Sequence, residues 1–596
     1  AKGLAAARRF AATLQKDYGW KFMVMLASTY VGLKGLVNGV VVSGQLPYYR
    51  SRGVAAAVYQ DMQTISRLPW GAKGLFGVVS DSWPVLGYQK RYYIVISGVM
   101  ATCSLSLLAF AREVPVQVAA ACLFLVQLYV AVADLLCEGK YAEIMSSQGG
   151  SSTVVTYVWG CVMLGSLLSS CMVGPMADFL TKAKAVPLLF AIGIPCSVLA
   201  LWPALRGYLP EERQTSCACK TGQIFEHRKI LALALGQSAC ALGMLPLLLL
   251  RMHMAVKFSY SVCCVAVLMY ASYQALPRVV ANCNMYMFCG SCLTVGVLIL
   301  DLWYTASPLC VPGGPMFSQT YYLTFCVIAG SLAGLAGVWT FETYMTKWNA
   351  RKAFWVTTLV KVVASLVDQV LINRWNLVVG LPDEYAFFLG NAVIREMVVM
   401  LDFMPVMVLI GKLCPKNIES TVFAVLAGFS NFGSNIGSVL GTILIEVLGV
   451  RIQDASVRDH TCFLPEAGWV NATANSCTYD LGDDGQELRA DCEYSHLGVA
   501  VFIAQVICPL LSIPLTFVLI PNVRLDGDFL AGENHSSGEM EMPVIPAPGA
   551  VRAPPHPRGG EEEEDASAAL GGAETPIARR RSSDQLLAGA ASQRRR

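Results

Sequence analysis

The sequence predicts an all-α membrane protein that crosses a bilayer many times, and three observations carry that prediction. Of its 596 residues, 55% are hydrophobic and 14% charged, whereas a soluble domain carries about 25% charged residues. The mean hydropathy is +0.52. The apolar residues fall in runs of about 20, the helix length that crosses a roughly 30 Å hydrocarbon core, and charge or Gly/Pro bounds each run. No stretch remains for a water-soluble core, which excludes a soluble enzyme. With 44 Lys+Arg against 41 Asp+Glu the net charge is +3, too close to neutral for the electrostatic footprint of a nucleic-acid partner.

Fourteen segments emerge in order: 21–43, 59–80, 92–111, 115–137, 152–173, 184–206, 229–250, 258–277, 283–303, 320–342, 353–373, 386–410, 419–447 and 496–520. Segment 2 is interrupted by Arg67, Pro69 and Lys73, and segments 7 and 8 are tightly spaced. An even number of crossings puts both termini on one side. The Lys/Arg bias makes that side cytoplasmic, with about 18 basic residues in its loops and flanks, Lys2, Arg8, Arg9 and Lys16 among them, against about 11 outside. Residues 1–20 are charged throughout and read as a cytoplasmic segment, not a signal peptide. The expected domains are then a six-helix bundle over 21–206, a cytoplasmic linker with an inserted helix pair over 207–282, and a second six-helix bundle over 283–522. A cytoplasmic tail follows over 523–596.

The external loop 448–495 carries Cys462, Cys477, Cys492 and the sequon Asn471-Ala472-Thr473, which makes Asn471 an expected glycosylation site. Cys310, in another external loop, brings the cysteines to four and allows three pairings. Most of the 21 cysteines lie within apolar runs and read as small buried hydrophobes. The tail is rich in Gly, Pro, Ala and Glu, with an acidic run at Glu561–Asp565 and basic runs at Arg579–Arg581 and Arg594–Arg596, a composition expected to be disordered. Within it Arg580-Arg581-Ser582-Ser583 fits a kinase site of the basic-directed kind, against the blander reading of a solvated, unregulated tail. Its basic runs equally suit anionic lipid headgroups.

A charge at the bilayer centre costs about 2.5–3.5 kcal/mol on insertion scales, so ionisable residues at membrane depth are the first functional candidates. Lys34 and Asn38 share a face of segment 1; Arg67 and Lys73 lie in segment 2, Asp134 and Glu138 at the end of segment 4, Lys361 and Asp368 in segment 11. Segment 12 carries Arg395, Glu396 and Asp402, with Arg395 and Asp402 two turns apart on one face. Any one of them reads as readily as a charge that holds helices in register, and Lys73, Glu138 and Lys361 sit where side chains snorkel. As a set they argue for a polar cavity between helices, with Glu396 near the midplane where transporter sites lie.

The turn between segments 2 and 3 runs Gly77-Val-Val-Ser-Asp81-Ser-Trp-Pro84-Val-Leu-Gly87-Tyr-Gln-Lys90-Arg91. Its glycines permit close packing, Asp81 suits a helix cap, and Lys90 and Arg91 anchor an inside face, together a candidate gate. The turn resembles the signature loop of the major facilitator superfamily, with three extra residues between the Asp and the second Gly. Lys347-Trp-Asn-Ala-Arg351-Lys352 after segment 10 is a degenerate counterpart, which implies two six-helix halves with segments 7 and 8 inserted.

Longer motifs narrow the resemblance. Leu68-Pro-Trp-Gly-Ala-Lys73-Gly-Leu-Phe-Gly77 running into Ser80-Asp81-Ser-Trp-Pro84, Asp134-Leu-Leu-Cys-Glu138-Gly-Lys140-Tyr-Ala-Glu143, and Trp159-Gly-Cys with Gly174-Pro-Met-Ala-Asp178 resemble the folate–biopterin transporter family. So do Trp303-Tyr-Thr-Ala-Ser307, Cys310-Val-Pro-Gly-Gly-Pro315, and Leu413-Cys-Pro415 leading to Glu419-Ser-Thr-Val-Phe-Ala-Val-Leu-Ala-Gly-Phe-Ser-Asn431. The resemblance covers about residues 20–525 and is nearest to the protozoan branch. It implies a secondary transporter of folates or pterins working by alternating access, with proton coupling expected and the plasma membrane as its expected site. Protozoan relatives also include S-adenosylmethionine carriers, so that substrate is the alternative. Asn391 stands where related sequences tend to carry Asp, so a coupling or binding role of that carboxylate is either missing here or passed to Asp402.

Ligand chemistry assigns expected roles. The 2-amino-4-oxo edge of a pterin offers two adjacent N–H donors, which a carboxylate accepts as a fork, and Glu396 is the expected carboxylate. The glutamate end of folate requires cations, for which Arg395, Lys361 and Lys73 are candidates. Asp134, Glu138 and Asp402 are the candidates for proton coupling, and Gly77, Asp81, Gly87, Lys90 and Arg91 for gating. No cofactor is expected. The six histidines form no HExxH or clustered pattern, which argues against a metal-dependent membrane enzyme, and no filter-like motif suggests a channel. A receptor that keeps the transporter fold is the remaining alternative.

Overall fold

The structure, a computed structural model, describes residues 2–111, 114–147, 153–183, 185–211, 213, 228–307, 310–413, 419–453, 461–464, 468–471 and 491–525. All of them belong to one compact unit, Ala1–Ser536. Helix occupies each of the fourteen predicted runs. Among the described residues, ten of these helices are long and apolar enough to cross a membrane; segments 2, 9, 12 and 13 are not among the ten. The tail beyond residue 525, with its expected kinase site, and Cys477 lie outside the described residues.

Several helices outrun their predicted limits, because an amphipathic turn at either end continues the backbone ladder beyond the apolar run. Segment 1 is helical over Trp20–Ser51 and segment 4 over Val116–Ser147. Outward faces carry exposed Leu199, Phe325, Leu332 and Val518, the kind of surface a bilayer covers. Where helices meet, small residues let backbones approach. A Cβ on Gly35 of segment 1 would sit 2.6 Å from the Gly165 Cα of segment 5, a contact that forbids any side chain there.

Two segments are broken, and the breaks are healed by side chains from neighbouring helices. Segment 2 is helical over Ala56–Gly71 and Lys73–Ser82 with Ala72 between. Pro69 in its last turn removes a donor there. Gln237 of segment 7 donates to the Gly71 carbonyl at 2.9 Å, and Ser238 accepts the Leu75 N–H at 3.0 Å. Segment 9, predicted as one run, is helical over Arg278–Leu293 and Ile299–Thr305 with residues 294–298 unwound. Gln60 of segment 2 satisfies that stretch, donating to the Gly296 carbonyl at 2.7 Å and accepting the Leu298 N–H at 3.1 Å. Irregular backbone at membrane depth survives only when protein supplies such partners.

The first six and last six segments meet at two seams. At one, segment 2 lies along segments 9 and 13, where Gln60 also donates to the Ser438 carbonyl at 2.6 Å and Thr64 bonds the Ser438 hydroxyl at 2.6 Å. Segments 7 and 8 pack over this seam, and Lys257 of segment 8 pairs with Asp61 of segment 2 at 2.5 Å. At the other, segment 5 meets segment 10. Asp178 accepts the backbone N–H groups of Gln319 and Thr320 at 2.9 and 2.8 Å, capping a helix start with negative charge.

Both sets of contacts lie toward the end of the bundle that carries the Cys310–Cys492 disulfide. That bond selects one pair out of the four cysteines of the predicted external loops. Cys462 falls in a short strand, Thr461–Leu464, paired antiparallel with Gly468–Asn471, and the side chains of Cys462 and Asn471 are outside what is described.

Candidate functional site

A charge held inside a bundle is costly unless it is paired or reaches water, so the deep ionisable residues define the site by their partners. In the first six segments they converge on Asp134 of segment 4, which is 1% exposed. Lys34 of segment 1 donates to one carboxylate oxygen at 2.9 Å and Lys73, just past the break in segment 2, to the other at 2.7 Å. The lysines are wrapped in aromatic rings. Lys73 lies 4.6 Å from the Trp70 ring centre, and Lys34 lies 5.7, 5.9 and 5.3 Å from those of Tyr30, Trp70 and Trp159. Trp70 donates its indole N–H to Gln127 at 2.8 Å, and Gln127 in turn donates to Asn38 at 2.8 Å. Glu138, one turn beyond Asp134, is half-buried and in the field of the same lysines.

In the last six segments the charges pair one to one across antiparallel helices. Lys361 of segment 11 meets Asp402 of segment 12 at 3.0 Å, and Arg395 of segment 12 meets Asp368 of segment 11 at 3.1 Å. Asp368 is fully buried and also accepts from the Tyr304 hydroxyl at 2.6 Å and the Asn391 amide at 2.7 Å. Nearby, the Tyr322 hydroxyl donates to Asp301 at 2.7 Å. Lys34, Tyr322, Asn391 and Arg395 all lie in π-helical stretches, Ser28–Val37, Tyr321–Phe325 and Phe388–Arg395, the local widening often found where a helix carries function.

The residues expected from the sequence therefore fall in two clusters and are engaged differently from the roles expected of them. Lys73, Arg395 and Lys361, expected to meet an acidic substrate tail, each hold a carboxylate of the protein. Asp134 and Asp402, expected to couple protons, are ion-paired. Glu396 makes no hydrogen bond or ion pair with any described residue; its side chain packs on segment 10, where a Cβ on Gly330 would lie 2.9 Å from Glu396 Cγ. Asp61, Lys257, Asp301, Tyr304 and Arg67 complete the polar set; sequence reasoning counted Arg67 among the deep charges without giving it a role and did not single out the other four as site residues.

The gate residues lie beside the first cluster: a Cβ on Gly139, next to Glu138, would sit 3.7 Å from Lys90 Nζ. Gly87 turns the chain at φ 85°, and Val85 and Tyr88 pair across it. The Lys90 N–H donates to Glu211 at 3.0 Å, its ammonium lies 3.9 Å from Glu143, and Arg91 donates to the Leu205 carbonyl. Burial pushes the Glu211 carboxyl above its ordinary value, against the pull of Lys90. Gly77 has its nearest neighbour at Leu135, 3.7 Å from a Cβ placed there. Of these partners Glu143, Leu205 and Leu135 belong to the first half and Glu211 to the start of the linker, and the Asp81 side chain lies outside the described residues.

Comparison with known proteins adds the family. Residues 34–534 match the sequence profile of the BT1 family. The chain belongs to the BT1 family. Among relatives of this BT1 protein, the probable folate-biopterin transporter 2 of Arabidopsis thaliana is 24% identical over 457 residues, 74% of this chain and 79% of its own length. The folate-biopterin transporter of Synechocystis sp. is 23% identical over 442 residues, 72% and 76% respectively, and folate transporter 1 of Plasmodium falciparum 21% over 388 residues, 64% and 65%. Among solved structures, a POT family transporter in complex with 5-aminolevulinic acid matches with a TM-score of 0.55 at 10% identity, over 85% of this chain and 97% of that one. Peptide transporter POT in complex with sulfate matches with a TM-score of 0.52 at 12% identity, over 85% and 95%. The BT1 chain thus has a major-facilitator-type transporter fold and is a multi-pass membrane protein, as its motifs implied.

Proposed function

We propose that this BT1 protein carries folates or pteridines across a membrane, expected to be the plasma membrane, by alternating access with proton coupling. The observation that carries the proposal is membership of the family over residues 34–534, joined to relatives whose names specify folate or folate-biopterin transport. The geometry supports it in kind. Each half carries one charged cluster, and the contacts between the halves lie toward the disulfide end, so on this reading rocking the halves about those contacts alters which side reaches the clusters. On this reading the disulfide end is external, Glu396 takes the forked N–H edge of the pterin, and Glu138, the carboxylate of the first cluster not tied by a lysine, exchanges protons with water.

Uptake of labelled folate into cells lacking their own carrier tests the proposal, with unlabelled biopterin and S-adenosylmethionine as competitors. Saturable uptake blocked by biopterin, rising as external pH falls and abolished by a protonophore, is the expected outcome. A carboxylate freed of partners loads from the acidic side, so the direction of the pH effect follows the gradient. Competition by S-adenosylmethionine alone would reassign the substrate. Saturable binding without uptake would indicate a receptor, and uptake indifferent to pH and protonophore would replace symport with exchange or facilitated diffusion.

A further inference from the structure

Segment 2 is buried along its first fifteen residues on nearly every side. It is packed by segments 1, 4, 7, 8, 9 and 13, and between Ala56 and Gly71 every residue is buried or half-buried except one. The exception is Arg67. A helix enclosed by other helices has no lipid-facing side, so its single exposed position opens onto a space inside the bundle, not onto the membrane.

Arg67 is also set apart by its bonding. Lys34 and Lys73 share Asp134; Lys257 holds Asp61; Lys361 holds Asp402; Arg395 holds Asp368. Arg67 forms no hydrogen bond or ion pair with any described residue. Asp301, the carboxylate in its field, accepts its hydrogen bond from Tyr322. One turn along the helix is Trp70, the ring shared by Lys34 and Lys73. Arg67 therefore stands between the cluster of the first half and the Asp301, Tyr322 and Tyr304 hydroxyl network of the second. A purely structural arginine at membrane depth ties something down, because an unpaired one is expensive to place there. This one ties nothing.

We propose that Arg67 is the anion-binding residue of the translocation path, taking the carboxylate of a substrate that carries an acidic tail, such as the glutamyl end of a folate. The guanidinium presents a planar fork that matches a carboxylate in two parallel bonds, and its exposed position lets a ligand reach it without first breaking an internal ion pair. Each of the other deep cations would have to leave a carboxylate of the protein to do the same. The assignment rests on the pteridine reading above and sharpens it, because it separates substrates with an acidic tail from those without one.

The test is binding of labelled folate and labelled biopterin to the purified full-length protein and to Arg67→Ala, Arg67→Gln and Arg67→Lys. The expected result is that Arg67→Ala weakens folate binding by about tenfold or more while biopterin binding stays within about twofold, with Arg67→Lys recovering part of the folate loss. Arg67→Gln keeps the length of the side chain and serves if the alanine variant does not yield folded protein, judged by its thermal melt. Equal loss for the two ligands would make Arg67 a general or conformational residue and overturn the assignment, as would no loss for either. Failure of the wild-type protein to bind folate while it binds biopterin would also overturn it. If the wild type binds neither ligand, the pteridine reading itself falls, a result visible before any variant is compared.

Discussion

The two halves of the bundle solve the same electrostatic problem in opposite ways. In the first half one carboxylate, Asp134, serves two lysines from two different helices; in the second, Lys361 and Arg395 each have a carboxylate of their own, Asp402 and Asp368. The first arrangement is short of negative charge unless Glu138 is ionised, so its balance depends on a proton. The second is balanced within itself, and its buried carboxylate is further held by Tyr304 and Asn391. A transporter needs one part that answers to a proton or ligand and another against which it can move. On the proposed function, this difference gives the responsive role to the half containing Asp134 and the bracing role to the ladder between segments 11 and 12.

The largest expected effect breaks the comparison at its two carboxylates. Asp134→Asn leaves two ammonium groups facing each other in a site where the carboxylate was 1% exposed. Removing one member of such a buried network costs about 3–5 kcal/mol, so loss of uptake together with a clear drop in melting temperature is expected. Asp368→Asn should do less, because an amide oxygen still accepts from Tyr304 and Asn391, and Arg395, at 36% exposure, recovers solvation from water. Uptake and thermal melts of both variants measure the order. If Asp368→Asn proves the more damaging, the bracing and responsive roles have been assigned to the wrong halves.

What the sequence revealed follows from which constraints are local. Membrane crossing is a constraint on length and apolarity, so the helical runs were legible residue by residue, although only ten of the fourteen are long and apolar enough to cross by themselves; the major-facilitator fold was legible in the motifs. Partner choice is a tertiary matter. Lys34 and Asp134 are 100 positions apart and Lys257 and Asp61 are 196 apart, and no spacing rule joins them. The seven-residue spacings of Lys361 with Asp368 and of Arg395 with Asp402 did show that each pair shares a face. They could not show that antiparallel packing would match Lys361 to Asp402 and Asp368 to Arg395. Asp61 was passed over because it lies near the start of a predicted run, where a charge reads as a boundary. Arg67 read as an interruption of segment 2; only the burial of the residues around it reveals what it faces.

A middle-sized effect concerns the inserted pair, which touches neither cluster directly. The Lys257 and Asp61 side chains are 4% and 5% exposed, so this is the most completely buried two-residue ion pair among the described residues. Asp61→Asn strands one ammonium where Asp134→Asn strands two, so the loss should fall toward the lower end of about 3–5 kcal/mol. The double exchange Asp61→Lys with Lys257→Asp restores the pair. Recovery of the melting temperature and of uptake in the double variant is expected. A double variant no better than the single one would mean that Asp61 acts on something other than Lys257, and that segments 7 and 8 do not secure the seam through this contact.

The smallest effect is expected at the outer rung of the ladder. Lys361 and Asp402 are 22% and 21% exposed at 3.0 Å, so water already solvates both charges and their attraction is partly screened. Exposed pairs are worth about 0.2–1 kcal/mol, and a pair with this much water lies near that range. Lys361→Gln and Asp402→Asn, singly and together, should each shift the melting temperature only slightly, with the coupling in a double-mutant cycle below about 1 kcal/mol. Transport separates bracing from coupling more sharply than stability does. If Asp402 only braces, Asp402→Asn keeps the pH dependence of uptake and lowers its rate no more than a few-fold. If Asp402 carries the proton, the same substitution flattens the pH dependence while leaving the melt unchanged, and the responsive group then lies in the second half, not with Glu138 in the first.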